Sequence, residues 1–576
     1  MKKKIRVGVL IDEYSVSKWE FELLEKITYS NHSEIVLFIK NNSNMHKDLN
    51  FIKRCFRAFL QRKHFFYFLF MKIERILFKK SLLIFKKINI KNWINTKIIE
   101  VSPITTKFSD RLIDSDIEKI KIEKVDVFVR LGFRILRGRV LTEISKFGIW
   151  SFHHGDYKIN RGSPAGFYEF LENNHVTGQV LQILTEELDN GLILDDSFSS
   201  TNTTSVNKNK KNYYVKSAYI FDRVLNNLYN DGEDLFFKKI NIKNTSPVFY
   251  YNKLYKYPTN LFFLKKILIK IIKKIKTKFD YLFYFNQWVI CYKFNNLSQN
   301  YSKSFYNFKK LIPPKDRFWA DPFVVFDNNK HYIFFEELFY NENKGKISFV
   351  EIDINGVKNK SKVVLEKDYH LSYPFIFKDN SKYFMIPESM DNKTIELYEC
   401  EDFPDKWKLV KVLMDDVEAV DTTVLKYNNK YWLFSNIRLD PQLSTNEDLF
   451  LFYSDDLFGK WISHPMNPIV SDISSSRPAG KIFEYKNKIY RPSQNASKRY
   501  GYGMAINEIV TINENEYQEK NIDIILPGWE KNVLATHTLN HDGNLTVIDS
   551  LLKRKKLWTF YILFLLTSKV EQKHLL

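Results

Sequence analysis

The sequence predicts a multidomain protein in which an α/β domain is followed by an all-β, five-bladed β-propeller. Strand and helix signals alternate through the first 200 residues, whereas repeats of roughly 50 residues, each rich in strand signals, follow residue 280. The length of 576 residues also exceeds what one ordinary hydrophobic core organises, since domains typically hold about 100–200 residues. Together these observations favour two large folded regions of different class.

The α/β prediction comes from short apolar runs separated by amphipathic segments. Ile5–Ile11 and Glu34–Ile39 are typical of buried strands, and residues 17–28 between them have helical spacing. Lys97–Val101 and Val125–Leu131 continue the series of strands. Strands that alternate with helices are typical of a parallel sheet.

The propeller prediction comes from repeats that share one layout. Each repeat opens with a polar or aromatic residue beside a Pro or Thr, and an apolar strand, a polar turn and an aromatic strand follow. The opening positions are Asp321, Tyr373, Asp421, Arg477 and His537. Four strands per repeat and five repeats predict a five-bladed propeller, in which the first residue of each inner strand points toward the axis.

The net charge and the cysteine content limit which partners and metal sites we expect. The formal net charge of +21 suggests an anionic lipid surface, a nucleic acid or a phosphorylated substrate, although a general excess of Lys also explains it. Cys55, Cys291 and Cys400 are too far apart for a zinc motif or a disulfide framework, so we expect no metal. This cysteine usage predicts a cytoplasmic protein, or one peripheral at the inner membrane face.

Two basic segments interrupt the pattern, at residues 51–90 and 261–279. In the second, apolar side chains at helical spacing alternate with lysines. Such a helix either lies on an anionic membrane surface or packs on its own domain with a solvated basic face. Residues 551–576 form a basic and apolar tail that is either interfacial or the last propeller strand.

We therefore expect four regions. An α/β domain covers residues 1–200, and residues 201–282 form a linker that begins as a polar loop and contains the basic amphipathic helix. The propeller covers residues 283–550, and the tail covers residues 551–576.

A motif at residues 148–162, GIWSFHHGDYKINRG, resembles the formyltransferase family of methionyl-tRNA and sugar-amine formyltransferases. His153 falls on the family histidine, and Arg161 and Gly162 match its Arg-Gly pair. Downstream, Thr177-Gly178 and Asp189-x-Gly191 match two further family motifs. The resemblance covers about residues 1–200 and implies a Rossmann-like formyltransferase fold.

The resemblance implies a set of roles. His153 would stabilise an oxyanion, and Asp189 would orient His153. Arg161 and Gly162 would bind the substrate. Ser151 replaces the family asparagine and would be a weakened oxyanion donor, for which His154 would compensate. The formyl donor would be 10-formyltetrahydrofolate. Two alternatives remain open: a fold that has lost formyl transfer, or a plain loop histidine at position 153.

The repeats resemble the five-bladed propellers of furanosidases and fructosidases, and more closely the module at the N-terminus of glucosamine inositolphosphorylceramide transferases. Asp321 and Asp421 fall on the two hydrolase aspartates, and Glu388 or Glu337 would supply the acid, because Arg477 opens the fourth repeat. Tyr373, Arg477 and His537 would bind substrate. Glycosidase action, binding of an acidic or phosphorylated sugar, and a purely structural propeller remain open.

The two resemblances together predict a transferase of surface-glycan biosynthesis that formylates an amino sugar, free or linked to a nucleotide or lipid, while the propeller binds or processes the glycan. A glycosidase or glycosyltransferase, or a non-catalytic glycan-binding scaffold, is the alternative. The sequence argues against nucleic acid as a partner, because the basic residues lie in apolar helices without a readout motif.

Overall fold

The computed structural model describes residues 2–43, 62–295, 302 and 304–556. These residues form two compact units, Met1–Ile269, called here the α/β unit, and Lys270–Leu576, called here the β unit. Cys55, residues 51–61 of the first basic segment and residues 557–576 of the predicted tail lie outside the described residues.

The α/β unit is built on a seven-stranded sheet with two short accessory sheets. Its strands are β1 Ile5–Ile11, β2 Ser15–Ser17, β3 Ser33–Asn41, β4 Lys87–Asn89, β5 Lys97–Val101, β6 Ile104–Thr105, β7 Ser109–Arg111, β8 Val127–Arg130, β9 Ile135–Leu136, β10 Ile149–His153, β11 Val176–Ile183 and β12 Leu192–Ser200. The main sheet has the order β12-β11-β10-β8-β1-β3-β5. Strands β10, β8, β1, β3 and β5 are parallel, and β11 and β12 are antiparallel at one edge.

Helices cover both faces of this sheet. The helices among the described residues are α1 Lys18–Tyr29, α2 Phe65–Leu77, α3 Asp114–Lys121, α4 Val140–Glu143, α5 Phe167–Glu172, α6 Val206–Asp231, α7 Glu233–Lys243 and α8 Asn260–Phe283, the last of which extends past Ile269 into the β unit. One core joins the sheet to α1, α6 and α7, and a second core on the other face joins it to α3 and α4. Both faces of the sheet are buried, which explains why its strands are continuous apolar runs. The predicted α/β class is confirmed.

The polar loop predicted at the start of the linker is wrong from Val206 onward, where a helix begins. Ser205 caps α6 by accepting a hydrogen bond from the Lys208 amide, and the helix then continues for 26 residues. Its buried side chains include Ala218, Phe221 and Leu225, whose spacing of three and four residues is helical. The run of Asn and Lys at the start of α6 concealed this periodicity, because polar residues there lie on the buried face as well.

The β unit consists of five antiparallel sheets. Its strands are β13 Tyr284–Phe294, β14 Lys309–Leu311, β15 Arg317–Asp327, β16 Lys330–Phe339, β17 Lys344–Asp353, β18 Gly356–Val357, β19 Lys362–Leu365, β20 Ser372–Asp379, β21 Lys382–Ser389, β22 Thr394–Asp402, β23 Lys406–Met414, β24 Ala419–Tyr427, β25 Lys430–Ile437, β26 Asp448–Ser454, β27 Ile462–Ser463, β28 Val470–Ser471, β29 Phe483–Tyr485, β30 Lys488–Asn495, β31 Gly503–Ile512, β32 Tyr517–Ile525, β33 Val533–Ala535, β34 Leu539–Asp542 and β35 Leu545–Lys555. Four of the sheets are consecutive in sequence, starting at β15, β20, β24 and β29. The all-β class of this region is confirmed.

The fifth sheet joins the two ends of the β unit. Strand β13 pairs with β35 along its whole length, from Tyr284 opposite Lys555 to Phe294 opposite Leu545. Residues 551–555 of the predicted tail therefore belong to a strand. No helix among the described residues is long and apolar enough to cross a membrane.

Candidate functional site

Each unit contains its own cluster of buried polar side chains. In the α/β unit, β10 ends at His153, and Asp189 lies in the turn between β11 and β12. The Nδ1 atom of His153 is 3.4 Å from Oδ1 of Asp189, and its Nε2 atom is 3.0 Å from the carbonyl oxygen of Asn160. The structure thus brings together the histidine and aspartate that the sequence paired.

These contacts set the charge of His153. Burial alone would lower the pKa of the imidazole, but the hydrogen bond and charge of Asp189 outweigh it, so the pKa is raised. The pKa of Asp189 is lowered, because its interactions with His153 exceed the opposing effect of burial. Both oxygens facing the ring are acceptors, so these contacts favour the protonated imidazole over the neutral one.

Replacing Asp189 by Asn removes the carboxylate charge while preserving the side-chain size. We expect the pKa of His153 to fall below its ordinary value, because burial then acts without a compensating anion. Histidine-selective NMR titration of the intact protein measures this change. Asp195→Asn, at a carboxylate paired with Arg223, is the control and should leave the His153 titration in place. An unchanged His153 pKa in Asp189→Asn would show that the pair is not coupled.

Ser151 lies two residues before His153 on the same strand and points to the same face. Its hydroxyl oxygen accepts a hydrogen bond of 3.0 Å from Nε of Arg130, a residue that the sequence did not single out. Burial lowers the pKa of Arg130, and Asp189 partly opposes this effect. The cationic side chain of Arg130 therefore lies next to Ser151, the serine that replaces the family asparagine.

A cavity of about 120 Å³ lies beside this group and is lined by Arg130, Ser151 and Asp189, among others. Sites for drug-sized ligands usually measure about 300–1,000 Å³. This arrangement accommodates a group of a few atoms, such as a carboxylate or a formyl group. A whole folate would extend beyond this cavity.

The other residues predicted for this site contact the chain itself. His154 points away from His153 into a ring cluster with Trp19, Tyr213 and Tyr214, where burial lowers its pKa to about 3. The expectation that His154 compensates for the serine is therefore wrong, because neighbouring strand residues face opposite sides.

Arg161 and Gly162, predicted to bind substrate, hold an internal segment instead. The Nε atom of Arg161 donates to the carbonyl of Tyr157, and its Nη2 atom donates to Asn190. Gly162 has a φ of +106°, and a Cβ there would lie 2.4 Å from the carbonyl oxygen of Tyr255. Their role in this structure is to position the loop beside His153.

Sequence analysis also missed Glu169, which is 2% exposed on α5. Burial raises the pKa of its carboxyl group to about 7, and the charge of His153 partly opposes this rise. Both oxygens lack a well-aligned hydrogen bond among the described residues. The surrounding helix pattern is apolar, so no sequence signal marked this residue.

In the β unit, three of the predicted opening positions share one backbone feature. The register of the first two strands shifts at Ala320–Phe323, Ser372–Phe375 and Val420–Thr423, which marks a β-bulge in each sheet. Asp321, Tyr373 and Asp421 lie in these bulges with φ of +51°, +43° and +51°. Non-glycine residues rarely adopt such angles, so the fold holds these three residues in a strained, repeated conformation.

Asp421 is joined to the opening residue of the fourth repeat, Arg477. The guanidinium Nε and Nη2 atoms lie 2.6 and 3.0 Å from the two Asp421 oxygens. Nη2 also contacts Glu388 at 3.0 Å, and Nη1 donates to Asn446 at 2.9 Å. Gln494 donates to Asp421 at 2.7 Å. Arg477 is thus engaged by two carboxylates and an amide.

Asp321 is joined to the opening residue of the fifth repeat, His537. The imidazole Nε2 lies 2.9 Å from Asp321, and Nδ1 lies 2.8 Å from Asp549, although neither N–H is well aligned for a hydrogen bond. Burial would lower the pKa of His537, but Asp549 and Asp321 raise it to about 10. His537 is therefore the second cation of the cluster.

Asp321, His537 and Asp549 bring three metal-ligating atoms within 4.8 Å of one another. Asp549, however, already accepts hydrogen bonds from the amides of His537 and Thr538 and from the Thr538 hydroxyl. The charge on His537 balances one of the two carboxylates. The three residues are consequently arranged as a histidinium between two carboxylates.

The cluster holds more carboxyl groups than cations. Its carboxyl groups are Asp321, Glu336, Glu388, Asp421 and Asp549, and its cations are Arg477 and His537. Burial, reinforced by neighbouring carboxyl groups, raises the pKa of Glu336 and Glu388 well above the ordinary value, although Arg477 opposes this at Glu388. The cluster therefore favours a ligand that supplies donors or positive charge over one that brings an anion.

Glu337, one of the two residues that the sequence suggested as the acid, contacts residues outside the cluster. Its carboxylate contacts Arg317, Trp319 and Ser348. The neighbouring Glu336 is the residue that interacts with Asp321 and Glu388. Glu336 takes the place expected for Glu337 because side chains alternate between the two faces of β16. A one-residue change of register therefore exchanges the two residues.

Tyr373, predicted to bind substrate, is fully buried. Its hydroxyl accepts from the Gly480 amide at 2.8 Å and contacts the Thr423 hydroxyl at 2.9 Å. Tyr500 is the aromatic residue that the cluster presents to solvent. The residue is 44% exposed, and its ring centroid lies 5.0 Å from the Arg477 guanidinium and 5.3 Å from the His537 ring.

Comparison with known proteins places residues 312–544 on the family model for "Glucosamine inositolphosphorylceramide transferase 1, N-terminal". The chain is 30% identical over 210 residues to the rice (Oryza sativa subsp. japonica) protein Glucosamine inositolphosphorylceramide transferase 1, and 30% identical over 217 residues to the Arabidopsis thaliana protein. These matches cover 36% and 37% of this chain and 28% of each relative. The predicted similarity of the repeats to this N-terminal domain is confirmed over that region.

Solved structures of two kinds are similar to the chain. Zg3597, a family 117 glycoside hydrolase from Zobellia galactanivorans, has a TM-score of 0.31 and 12% identity, covering 47% of this chain and 91% of its own. Glycinamide ribonucleotide transformylase 1 from Symbiobacterium toebii has a TM-score of 0.26 and 15% identity, covering 38% and 86%.

Proposed function

We propose that the protein is a transferase of glycan biosynthesis whose β unit binds a saccharide at the cluster of Asp321, Asp421, Glu388, Arg477 and His537. In this proposal the five sheets are the blades of a propeller, closed by the pairing of β13 with β35, and the inner strands begin around one axis. The observation that carries it is the repeated bulge, which brings opening residues of different sheets into one buried, ion-paired cluster.

The composition of the cluster suits sugar hydroxyl groups. Carboxyl oxygens accept hydrogen bonds from hydroxyls, and a carboxyl group whose pKa is raised, as at Glu336, also donates one when it is protonated. The exposed ring of Tyr500 supplies an apolar face above these polar groups. Ligand sites typically combine an aromatic surface with a few positioned polar groups in this way.

Hydrolysis is less well supported than binding. Retaining and inverting glycosidases need two carboxyl groups free to face the scissile bond. Here Arg477 engages both Asp421 and Glu388, and His537 faces Asp321. These ion pairs compensate charge and fix position, which serves recognition.

Carboxyl groups outnumber cations in the cluster, and this excess indicates which class of sugar fits it. Arg477 already contacts Asp421, Glu388 and Asn446, so it offers little to an incoming phosphate or carboxylate. An amino sugar, whose ammonium group supplies positive charge and three donors, complements the cluster best. The relatives are described as transferases of glucosamine inositolphosphorylceramide, which agrees with an amino sugar.

Titration with a glucosamine oligosaccharide, followed by saturation-transfer NMR on the intact protein, tests this function. Asp321→Asn and Tyr500→Ala should each weaken binding at least tenfold, since the first removes a charge and the second removes the exposed ring. His153→Ala is the control in the α/β unit and should bind normally. Equal binding by all three variants would exclude the cluster as the saccharide site.

Formyl transfer in the α/β unit is a second candidate function, favoured by the contact between His153 and Asp189. Incubation with 10-formyltetrahydrofolate and a nucleotide-linked amino sugar, with mass spectrometry of the sugar, tests it. A formylated product that His153→Ala abolishes would establish this activity. Absence of product, with saccharide binding retained, would limit the function to the β unit.

A further inference from the structure

Helix α8 carries a stripe of exposed apolar side chains. These are Leu261, Leu264, Leu268, Ile271, Ile272, Ile275, Phe279 and Leu282, which are 43–81% exposed. Their spacing of three and four residues places them on one face about 100° wide. Isolated exposed apolar residues are common in soluble proteins, but a continuous face of eight is not.

The described chain does not cover this face. Phe263, on the opposite side of α8, is the helix's one buried residue, and it packs against Phe70 and Phe167 of the α/β unit. Of the two alternatives that the sequence left open, packing of the apolar face on its own domain is therefore wrong. The helix docks through Phe263 and presents its apolar stripe outward.

Helix α2 adds a second exposed apolar face next to the first. Its exposed side chains are Phe65, Phe66, Leu69, Ile73, Ile76 and Leu77, at 37–70% exposure. The starts of the two helices adjoin, since Asn260 accepts from the Phe66 amide and donates to the Arg62 carbonyl. The ring centroids of Phe70 and Phe263 lie 5.5 Å apart between the helices.

Lysines border the apolar stripe of α8. The helix contains seven Lys and one Asp, and at 100° per residue Lys265 and Lys276 lie along one edge of the stripe while Lys274 and Lys278 lie along the other. On α2, Lys72 and Arg75 are exposed as well. Apolar side chains between cationic edges match the acyl and phosphate layers of an anionic leaflet.

We propose that α8 and α2 form a docking surface for an anionic lipid bilayer, with the apolar stripes inserted at the headgroup–acyl boundary and the lysines at the phosphates. The positive charge of α8 favours an anionic bilayer over a second copy of this chain. A second copy of the same surface would bring the four lysines that border the stripe against the same four of its partner, which opposes self-association. This surface is separate from the saccharide cluster of the β unit in its residues and in its chemistry.

Flotation of the intact protein with vesicles tests the proposal. We expect binding to phosphatidylcholine vesicles that contain phosphatidylglycerol, and at least tenfold weaker binding to pure phosphatidylcholine or at 1 M salt, because screening and loss of lipid charge both remove the attraction. The variant Leu268→Glu/Ile272→Glu should lose binding at least tenfold, since it places two anions within the stripe.

A matched control distinguishes the stripe from net charge. Ile522→Glu/Ile524→Glu changes two side chains of similar exposure, 47% and 54%, on β32 and alters the total charge equally. It should bind vesicles like the wild type, and the circular dichroism of both variants should match the wild type. Equal vesicle binding by the two variants would overturn the proposal. A lipid-free dimer that only Leu268→Glu/Ile272→Glu dissociates would also overturn it, by assigning the stripe to a second copy.

Discussion

Replacing Arg477 by Met should lower the free energy of unfolding of the β unit by about 3–5 kcal/mol, the cost expected when one partner of a buried ion pair is removed. Arg477 is 6% exposed and contacts Asp421, Glu388 and Asn446. Without the guanidinium, two buried carboxyl groups lose their cation. Urea denaturation at pH 7, followed by tryptophan fluorescence and far-UV circular dichroism, measures the change.

Arg438→Met is the matched control, because Arg438 pairs with Glu418 at side-chain exposures of 27% and 23%. Ion pairs of that kind contribute about 0–1 kcal/mol. The double variant Arg477→Met/Asp421→Asn should recover part of the loss, since it also removes one unpaired charge. A loss in Arg477→Met no larger than in Arg438→Met would contradict the placement of Arg477 at the centre of the cluster.

The protonation of His537 should give the β unit a characteristic dependence on pH. The folded-state pKa is raised from 6.5 to about 10 by Asp549 and Asp321 against the effect of burial. A raised pKa stabilises the folded protein fully below the unfolded value, and this stabilisation is lost as pH rises from about 6.5 through about 10. At 1.36 kcal/mol per pKa unit, the loss amounts to about 4–5 kcal/mol.

Urea denaturation at several pH values between 6 and 10.5 tests this dependence. His537→Gln removes the titrating group, so its stability should change less over this range than that of the wild type, even though it starts lower at pH 6. Other groups titrate in both proteins and cancel in the comparison. Parallel pH profiles for the two proteins would show that His537 is neutral in the folded state.

The sequence predicts the regular elements well where side-chain pattern alone determines them. The predicted strands at Ile5–Ile11 and Lys97–Val101 have the same bounds in the structure, because buried parallel strands are continuous apolar runs. Helix α6 was missed because polar residues fill its first turns, and tertiary packing rather than apolar periodicity buries them.

The candidate site could be predicted only in part. The repeat openings identified Asp321, Asp421, Arg477 and His537, and their side chains form the cluster. Glu336 and Asp549 lie in the second strand of their repeats, whose register the sequence does not fix, so the choice between Glu336 and Glu337 required the structure. Tyr373 shares the bulge of the two aspartates, but its larger side chain reaches Gly480 and is buried.

Crystallographic difference density after a soak with a glucosamine oligosaccharide tests whether the cluster binds the saccharide. We expect a sugar residue against the Tyr500 ring, with its amino or hydroxyl groups within hydrogen-bond distance of carboxyl groups of the cluster. A saccharide bound on the outer strands of the β unit, with the cluster of Asp321, Asp421 and Arg477 unchanged and without ligand, would contradict it.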